Sequence, residues 1–303
     1  MKNTLITFTL LFIALTISAQ QLPYYAPKFT SHSLHAKVDF DLQNRLEQKL
    51  NENPRWKQLI RNKKMAVGLV DLRNVYQPKF ARVNGNEMMY AASLPKIAVL
   101  LAATDAIDKG ELKETQAVKN DMRLMIAKSN NAATTRMIDR VGYKKIEKVL
   151  THPDYRLYDR SYGGGLWVGK RYAAGGARYP DPMKGISHAA TVSQICRFYY
   201  LLSRGELVSE ERSEQMLGYL GDPELHHKFV NSLDKIAPEA DVYRKSGSWR
   251  TYHSDSALVW GPDGRRYILA AMVDDAAGGQ IMKDLVYAVE EILEESGRIL
   301  ATK

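Results

Sequence analysis

A serine and a lysine at helical spacing are the first side chains in this sequence that suggest covalent chemistry. Ser93-Leu94-Pro95-Lys96 opens a long apolar segment, residues 93–107, that is predicted to be a helix. Residues i and i+3 of a helix share a face, so Lys96 can approach the Ser93 hydroxyl. A serine becomes a good nucleophile when a base takes its proton. Burial lowers the pKa of a lysine towards the range in which it can be that base.

Two further motifs carry groups that such a nucleophile needs. Ser129-Asn130-Asn131 lies between two predicted helices, where a hydroxyl can pass a proton to a leaving group and an amide can hydrogen-bond a substrate carbonyl. Lys245-Ser246-Gly247 lies in a predicted strand. There a cation and a hydroxyl can bind a carboxylate, and glycine lets a ligand approach the backbone. The N–H of Ser248 can then join that of Ser93 in holding an oxyanion.

Each motif on its own has a plain structural explanation. Serine and asparagine favour helix N-caps, and the Ser-x-x-Lys spacing occurs a second time at Ser232-Leu233-Asp234-Lys235. Lys245-Ser246-Gly247 is also compatible with a strand that ends in a bulge. The motifs therefore indicate chemistry only through their order and through the elements that carry them.

The elements that must position these motifs are strands at both ends of the chain and helices between them. Segments typical of strands occur at residues 65–72, 79–83, 242–248, 255–260 and 266–273. The sequence predicts a mixed α/β (α+β) fold: a five-stranded antiparallel sheet flanked by N- and C-terminal helices, with an inserted helical lobe. The groove between sheet and helical lobe is the expected place for a site. Residues 39–303 are predicted to be one domain, with the sheet lobe at 39–90 and 241–303 and the helical lobe at 91–240.

The three motifs follow one another in the order S-x-x-K, S-x-N and K-S-G, on a helix start, an inter-helix break and a strand beside the groove. In this arrangement the sequence resembles the active-site serine superfamily of β-lactamases and penicillin-binding proteins, and most closely the class A β-lactamases. The resemblance spans about residues 39–293. It implies a β-lactamase-like fold and a serine hydrolase that forms an acyl-enzyme with β-lactams or related amides.

The resemblance also implies roles for individual residues. Ser93 is expected to be acylated with the assistance of Lys96, and Ser129 is expected to pass a proton to the leaving nitrogen. Asn131 is expected to orient the substrate amide, and Lys245-Ser246 to hold the substrate carboxylate.

Two departures from the class A pattern concern single residues of the expected site. No glutamate occurs between Glu147 and Glu206, where those enzymes carry the residue that activates the deacylating water. The strand position of their carboxylate-binding arginine holds His253, which is equally well explained as a strand-surface histidine. The acylation machinery is therefore present, and the residue that releases the acyl group is unassigned. Candidates in or near the long Gly- and aromatic-rich loop, residues 161–185, are Asp159, Tyr162, Tyr172 and Asp181.

The N-terminal segment predicts export. Residues 1–19 combine Lys2, a short apolar run and a small-residue cleavage site before Gln20, as in a secretory signal peptide. Residues 20–38 are typical of a linker. The protein is therefore expected in the periplasm or outside the cell, without stable membrane insertion after cleavage; an uncleaved anchor is the alternative.

Charge and composition exclude several classes of protein. The 303 residues carry a net charge of +9, and the positive residues are scattered without a nucleic-acid-binding module. The single cysteine, Cys196, lies in an apolar segment and is predicted to pack in the core. The adjacent His226 and His227 lack a third ligand at useful spacing. The sequence therefore predicts no nucleic acid, no metal and no cofactor, and a small-molecule partner such as a β-lactam or a D-alanyl peptide.

Several functions fit these residues. The first is a β-lactamase-like hydrolase with an unassigned deacylation route. The second is a penicillin-binding DD-peptidase, and the third is a non-catalytic module that binds peptidoglycan peptides. A cell-wall interaction protein with coincidental motifs depends only on charge and export.

Overall fold

A computed structural model describes residue 23, residues 34–262 and residues 264–301 of the chain. The helices are α1 (Phe40–Glu52), α2 (Pro54–Arg61), α3 (Lys96–Asp108), α4 (Gln116–Ala127), α5 (Asn131–Val141), α6 (Tyr143–Leu150), α7 (Val192–Ser203), α8 (Glu210–Leu220), α9 (Phe229–Ile236) and α10 (Gly278–Ala301). The strands are β1 (Met65–Asp71), β2 (Lys79–Val83), β3 (Met89–Tyr90), β4 (Tyr158–Asp159), β5 (Gly164–Gly165), β6 (Trp167–Val168), β7 (His188–Ala190), β8 (Asp241–Trp249), β9 (Tyr252–Trp260) and β10 (Arg266–Asp274).

Five strands from the two ends of the chain form one antiparallel sheet in the order β2-β1-β10-β9-β8. This confirms the predicted fold class. Strands β8 and β9 are longer than predicted at the ends where they meet, and only Arg250 and Thr251 separate them. Arg250 has a φ of 52°, the left-handed conformation that short hairpin turns require.

Alternate residues of β1 face two different apolar layers, as strand geometry requires. Val67 and Leu69 pack in the layer formed with α1 and α10, whereas Val70 packs in the layer formed with the helical lobe. On the helical-lobe side, a Cβ added to Gly68 would lie 2.8 Å from the sulfur of Cys196. Cys196 is therefore buried against β1, which agrees with the prediction that it packs.

The helical lobe is built around α3, whose residues from Lys96 to Ile107 are all buried. Helix α4 begins at Gln116, where Thr115 caps it. Helix α9 was not predicted. It begins after Lys228, which makes no side-chain cap, so the usual sequence signal of a helix start is missing there.

The long segment between α6 and α7 is more structured than a plain loop. Strand β5 pairs with β4, and β6 pairs with β7, which in turn pairs with β3. Gly165 has a φ of 154°, and a Cβ there would lie 2.1 Å from the carbonyl oxygen of Leu157. A glycine is therefore required where the segment folds back on itself.

Two predictions about the N-terminus concern residues that are largely not described. The predicted signal peptide, residues 1–19, lies outside the described residues, as does most of the predicted linker. The last part of that linker is described: Leu34–Lys37 form a short 3-10 helix, and Val38 bridges to Phe80 of β2. Within the described ranges, no helix is both long and apolar enough to span a membrane.

Candidate active site

Ser93 lies in a tight turn between β3 and α3, and not within the helix as predicted. The N–H of Leu94 donates to the Ala91 carbonyl at 3.1 Å, and the N–H of Lys96 donates to the Ser93 carbonyl at 3.3 Å. These i to i+3 bonds wind the chain more tightly than an α-helix does, so α3 begins only at Lys96. Ala92 has a φ of 50°, and Ser93 is partly exposed between buried neighbours. The turn thus presents the Ser93 side chain at the surface of the groove.

Lys96 is fully buried beneath this turn. Its ammonium donates to the carbonyl oxygen of Ser129 at 2.6 Å and to the side-chain oxygen of Asn131 at 2.8 Å. Burial lowers the pKa of Lys96 from 10.5 to about 7, because the charged form loses its hydration. A large fraction of Lys96 is therefore uncharged near neutral pH and can accept a proton.

The hydroxyl of Ser129 lies between two lysines. Lys245 donates to Ser129 Oγ at 2.9 Å, and Lys96 lies 3.3 Å from the same atom. Ser129 has a φ of 54°, so the chain turns sharply between α4 and α5. The following Asn130 caps α5 by accepting from the N–H of Ala133 at 2.8 Å. Asn130 thus has a structural role in this motif, whereas Ser129 and Asn131 contact the buried lysines.

Lys245 is the second buried cation of the site. Its ammonium also donates to the carbonyl oxygen of Ser246 at 2.9 Å, and Ser246 itself is buried. Burial, together with the nearby charge of Lys96, holds the pKa of Lys245 well below its usual value. In the part of the chain that the structure describes, no carboxylate forms an ion pair with Lys96 or Lys245.

Gly247 brings β8 into direct contact with the turn that carries Ser93. A Cβ on Gly247 would lie 2.4 Å from the carbonyl oxygen of Ala91 and 2.6 Å from the backbone nitrogen of Ser93. Ser254 of β9 ties the same region together by donating to the Ala91 carbonyl at 2.8 Å. The exposed Ser248 follows directly on this strand, so its backbone is close to that of Ser93.

Sequence reasoning missed Lys228, which supports this strand from behind. Its buried ammonium donates to the carbonyl oxygens of Gly247 at 2.5 Å and of Ser254 at 3.0 Å. Desolvation lowers the pKa of Lys228 to about 8. A buried ion pair between Arg244 and Asp255, at 2.8 Å, lies beside it. No motif in the sequence marks a lysine that precedes an uncapped helix, so the sequence offered no signal for this residue.

The structure does not bring His253 into the cluster around Ser93 and the two lysines. His253 pairs with Ser248 across the β8–β9 hairpin. Its ring packs against the start of α10, where a Cβ on Gly278 would lie 2.6 Å from a ring carbon. The predicted role of His253 in substrate binding stays a prediction.

The second Ser-x-x-Lys motif lies elsewhere and has structural partners. Ser232 is in α9 and donates to the carbonyl oxygen of Lys283 at 2.9 Å, while Lys235 is exposed. The spacing alone thus does not distinguish the two motifs, but the residues that each motif contacts do.

Of the loop residues considered for deacylation, Tyr172 is the one that lies against the lysine cluster. The Lys96 ammonium lies 4.6 Å from the centroid of its ring, and its hydroxyl donates to the Ala92 carbonyl at 2.9 Å. Burial raises the pKa of the Tyr172 phenol well above its usual value, so it stays protonated and is a poor base. The loop therefore places a neutral aromatic ring over Lys96.

The other three candidates have partners other than Ser93 and the two lysines. Asp181 accepts from the backbone N–H groups of Met183, Lys184 and Ile186, at 2.6–3.0 Å. Asp159 pairs with Arg156, and Tyr162 stacks on His35. These contacts hold the loop in shape and leave none of the three beside Ser93.

A cleft of about 780 Å³ opens beside the lysine cluster. It lies between the long loop and the β8–β9 hairpin, and Asn131 forms part of its wall. The lining residues are Tyr90, Asn131, Lys170, Arg171, Tyr172, Ala173, Ala174, Arg178, Gly185, Ile186, Ser187, His188, Trp249 and Tyr252.

Solved structures with the same fold include β-lactamases and penicillin-binding proteins. A β-lactamase from Sphaerobacter thermophilus DSM 20745 superposes with a TM-score of 0.61 at 19% identity, covering 74% of this chain and 89% of that chain. PBP-A superposes with a TM-score of 0.63 at 19% identity, covering 91% and 100%. A mutant of PBP-A in an acyl-enzyme complex with penicillin G gives 0.64 at 19% identity, covering 84% and 97%. At these identities the likeness establishes the fold.

The family is established by sequence. A search of curated proteins found no match. A family model, however, matches residues 53–123 and 117–293, which include all three motifs. These residues make up most of the chain and carry the sheet, the turn of Ser93 and both buried lysines, and the chain therefore belongs to the beta-lactamase enzyme family.

Proposed function

We propose that the protein is an exported serine hydrolase that is acylated on Ser93 by β-lactams or related amides and releases the acyl group slowly. The observation that carries this proposal is the Ser129 hydroxyl held between Lys96 and Lys245, next to the turn of Ser93. This arrangement supplies a base, a proton carrier and a cation at one place. A neutral Lys96 also agrees with the burial that lowers its pKa.

The acylation step uses these groups in order. Neutral Lys96 accepts the hydroxyl proton of Ser93, directly or through Ser129, while Ser93 Oγ bonds to the carbonyl carbon of the substrate. When the carbon–nitrogen bond breaks, Ser129 gives its proton to the leaving nitrogen and regains one from Lys96. Lys96 thus gains one proton from Ser93 and returns one to Ser129, so the protons balance, and the product is an ester on Ser93 with a free amine.

Backbone and cationic groups complete the proposed site. The N–H groups of Ser93 and Ser248 hold the developing oxyanion, a role supported by the close contact between Gly247 and the Ser93 backbone. Lys245 and Ser246 bind the substrate carboxylate. Asn131 accepts from Lys96 through its oxygen, which leaves its amide N–H₂ to hydrogen-bond the substrate amide.

Slow release follows from the groups around Lys96. Hydrolysis of the ester needs a base that activates water. Within the described chain, Lys96 has no carboxylate partner, and the loop side of Lys96 is covered by the protonated phenol of Tyr172. The acyl-enzyme is therefore expected to persist, as in a penicillin-binding protein.

Intact-mass measurement of the purified protein with benzylpenicillin tests the proposal. We expect an increase by the mass of the whole penicillin, lasting many minutes, in the wild type and not in Ser93→Ala. Rapid hydrolysis of penicillin without a lasting adduct would contradict slow release and leave acylation intact. A folded wild type that neither gains mass nor hydrolyses penicillin would contradict acylation itself and favour a non-catalytic binding module.

Export is part of the proposal because residues 1–19 have the composition of a signal peptide. Expression in a Gram-negative host, followed by cell fractionation and intact mass, should yield a periplasmic protein that begins near Gln20. A full-length protein in the membrane fraction would instead indicate an uncleaved anchor.

A further inference from the structure

The cleft beside the lysine cluster carries unbalanced positive charge. Lys170, Arg171 and Arg178 line it, and none of the described residues along its wall is acidic. Arg171 is paired with Asp139 at 2.6 Å. No carboxylate in the described part of the chain forms an ion pair with Lys170 or Arg178. At least two cations therefore face the cleft without a protein counter-charge.

The histidine in the cleft wall does not change the charge of the cleft. His188 is buried, and its ring nitrogen lies 3.0 Å from the carbonyl oxygen of Lys170. Burial first, and then the charges of Lys170 and Lys96, lower the pKa of His188 to about 4. The ring is thus neutral at physiological pH and adds no charge to the cleft.

The position of the cleft shows which part of a substrate enters it. Asn131 lines the cleft, whereas Lys245 and Ser246 do not. In the proposed function Asn131 hydrogen-bonds the substrate amide. Lys245 binds the carboxylate on the other side of the bond that breaks, the side of the leaving nitrogen. The part of the substrate that extends into the cleft is therefore the acyl side, which stays on Ser93.

Aromatic rings form the apolar part of the same cleft. Tyr90 and Tyr252 pack edge to face with ring centroids 5.4 Å apart, and Trp249 is 56% exposed at the rim. Such rings bind flat or aliphatic groups and reduce the screening of nearby charges by water.

We infer that this cleft selects acyl donors that carry a second carboxylate, on the acyl side of the amide that Ser93 attacks. This inference rests on the proposed function, since it assumes acylation of Ser93. Lys170 and Arg178 are the residues that determine the preference, and the aromatic wall accommodates the body of the acyl side chain.

Two penicillins that differ by one carboxylate test the inference. Carbenicillin is benzylpenicillin with an added carboxylate on its acyl side chain. The measurement is the second-order rate constant for adduct formation on Ser93, followed by intact mass at low ionic strength. An exposed ion pair contributes about two- to fivefold, so with two cations we expect carbenicillin to react about fivefold faster or more.

Variants and salt show whether a preference for carbenicillin comes from the charge of the cleft or from its shape. The double variant Lys170→Gln/Arg178→Gln should bring the ratio of the two rate constants to about one. The control Lys57→Gln/Lys113→Gln, which removes two exposed lysines outside the cleft, should keep it. Raising the ionic strength should lower the wild-type ratio, because salt screens exposed charges.

Each contrary outcome identifies what fails. Equal rate constants in the wild type, or a ratio that survives the double variant, would overturn the inference while acylation stands. Absence of an adduct with either penicillin would overturn the proposed function, and the inference with it.

Discussion

At the scale of single residues, the proposed chemistry depends on a lysine that is uncharged at neutral pH. Lys96 is buried without a carboxylate partner in the described chain, and its pKa falls to about 7. Its catalytically competent form is the deprotonated one. Below pH 7 that form becomes scarce, and above pH 7 it predominates.

The acylation rate should therefore rise with pH and then level off. We expect the rate constant for adduct formation by benzylpenicillin to increase up to tenfold per pH unit below about pH 7 and to be nearly constant above it. Lys96→Arg keeps the positive charge but cannot lose it, so this variant should acylate at least about a hundredfold more slowly. A wild-type rate that does not change between mildly acidic and mildly basic pH would contradict the role of Lys96 as the base.

The residues that the sequence revealed and those that it concealed differ in kind. Ser93, Lys96 and Ser129 occur in short motifs because they must meet at a turn and a helix start, and such local geometry leaves a spacing in the sequence. Lys228 reaches the site from a distant segment, through a hydrogen bond to the Gly247 carbonyl oxygen, and the position of the Tyr172 ring over Lys96 likewise depends on how the long loop packs. Contacts of this type depend on tertiary packing, and one sequence contains no periodic signal for them.

At the scale of elements, the site depends on how closely β8 approaches the turn of Ser93. Strand β8 is the edge strand of the sheet, so its end can be displaced without breaking the inner ladder. Gly247 allows this approach because a side chain there would meet backbone atoms of Ala91 and Ser93.

Gly247→Ala should therefore impair acylation much more than it impairs folding. A methyl group at position 247 must move the strand away from Ser93 and displace the N–H of Ser248, and misplacement of this kind costs about tenfold or more in rate. Gly218→Ala is the matched control, since a Cβ at that exposed position of α8 meets no atom within 4 Å. The control should keep the acylation rate and gain about 0.5–1 kcal/mol in stability. Both quantities can be measured by intact mass and thermal unfolding, and an unimpaired Gly247→Ala would contradict the oxyanion role of this strand.

Element boundaries were harder to predict than element types. The strand positions followed from short apolar segments, and the break between α4 and α5 followed from its run of polar residues. Helix α3 begins at Lys96 because 3-10 bonds tighten the turn before it, a detail that an apolar pattern does not encode. Helix α9 is short and uncapped, and only its packing against α10 in the finished fold explains it.

At the scale of the whole molecule, the site joins two parts of the fold. Lys96, Ser129 and Asn131 belong to the helical segments, whereas Lys245 and Gly247 belong to the sheet. The order of strands, helices and strands in the sequence was enough to predict this architecture, because the simplest arrangement pairs strands from the two ends in one sheet that brackets the helices. The sequence could not predict the shape of the cleft, since its wall is made by the long loop.

A substrate fixed on Ser93 should therefore bind the two parts together and stabilise the fold. The acyl group would contact Asn131 on one side and the backbone at Gly247 and Ser248 on the other, and these contacts exist only in the folded state, so they raise the free energy of unfolding. We expect the benzylpenicillin adduct to unfold about 5 °C above the free protein, which corresponds to about 2 kcal/mol for a domain of this size. Ser93→Ala, which cannot form the ester, should show at most a small shift that depends on penicillin concentration. An adduct that unfolds at or below the temperature of the free protein would mean that the acyl group contacts only one of the two parts, and the proposed arrangement of Asn131 opposite β8 would then be wrong.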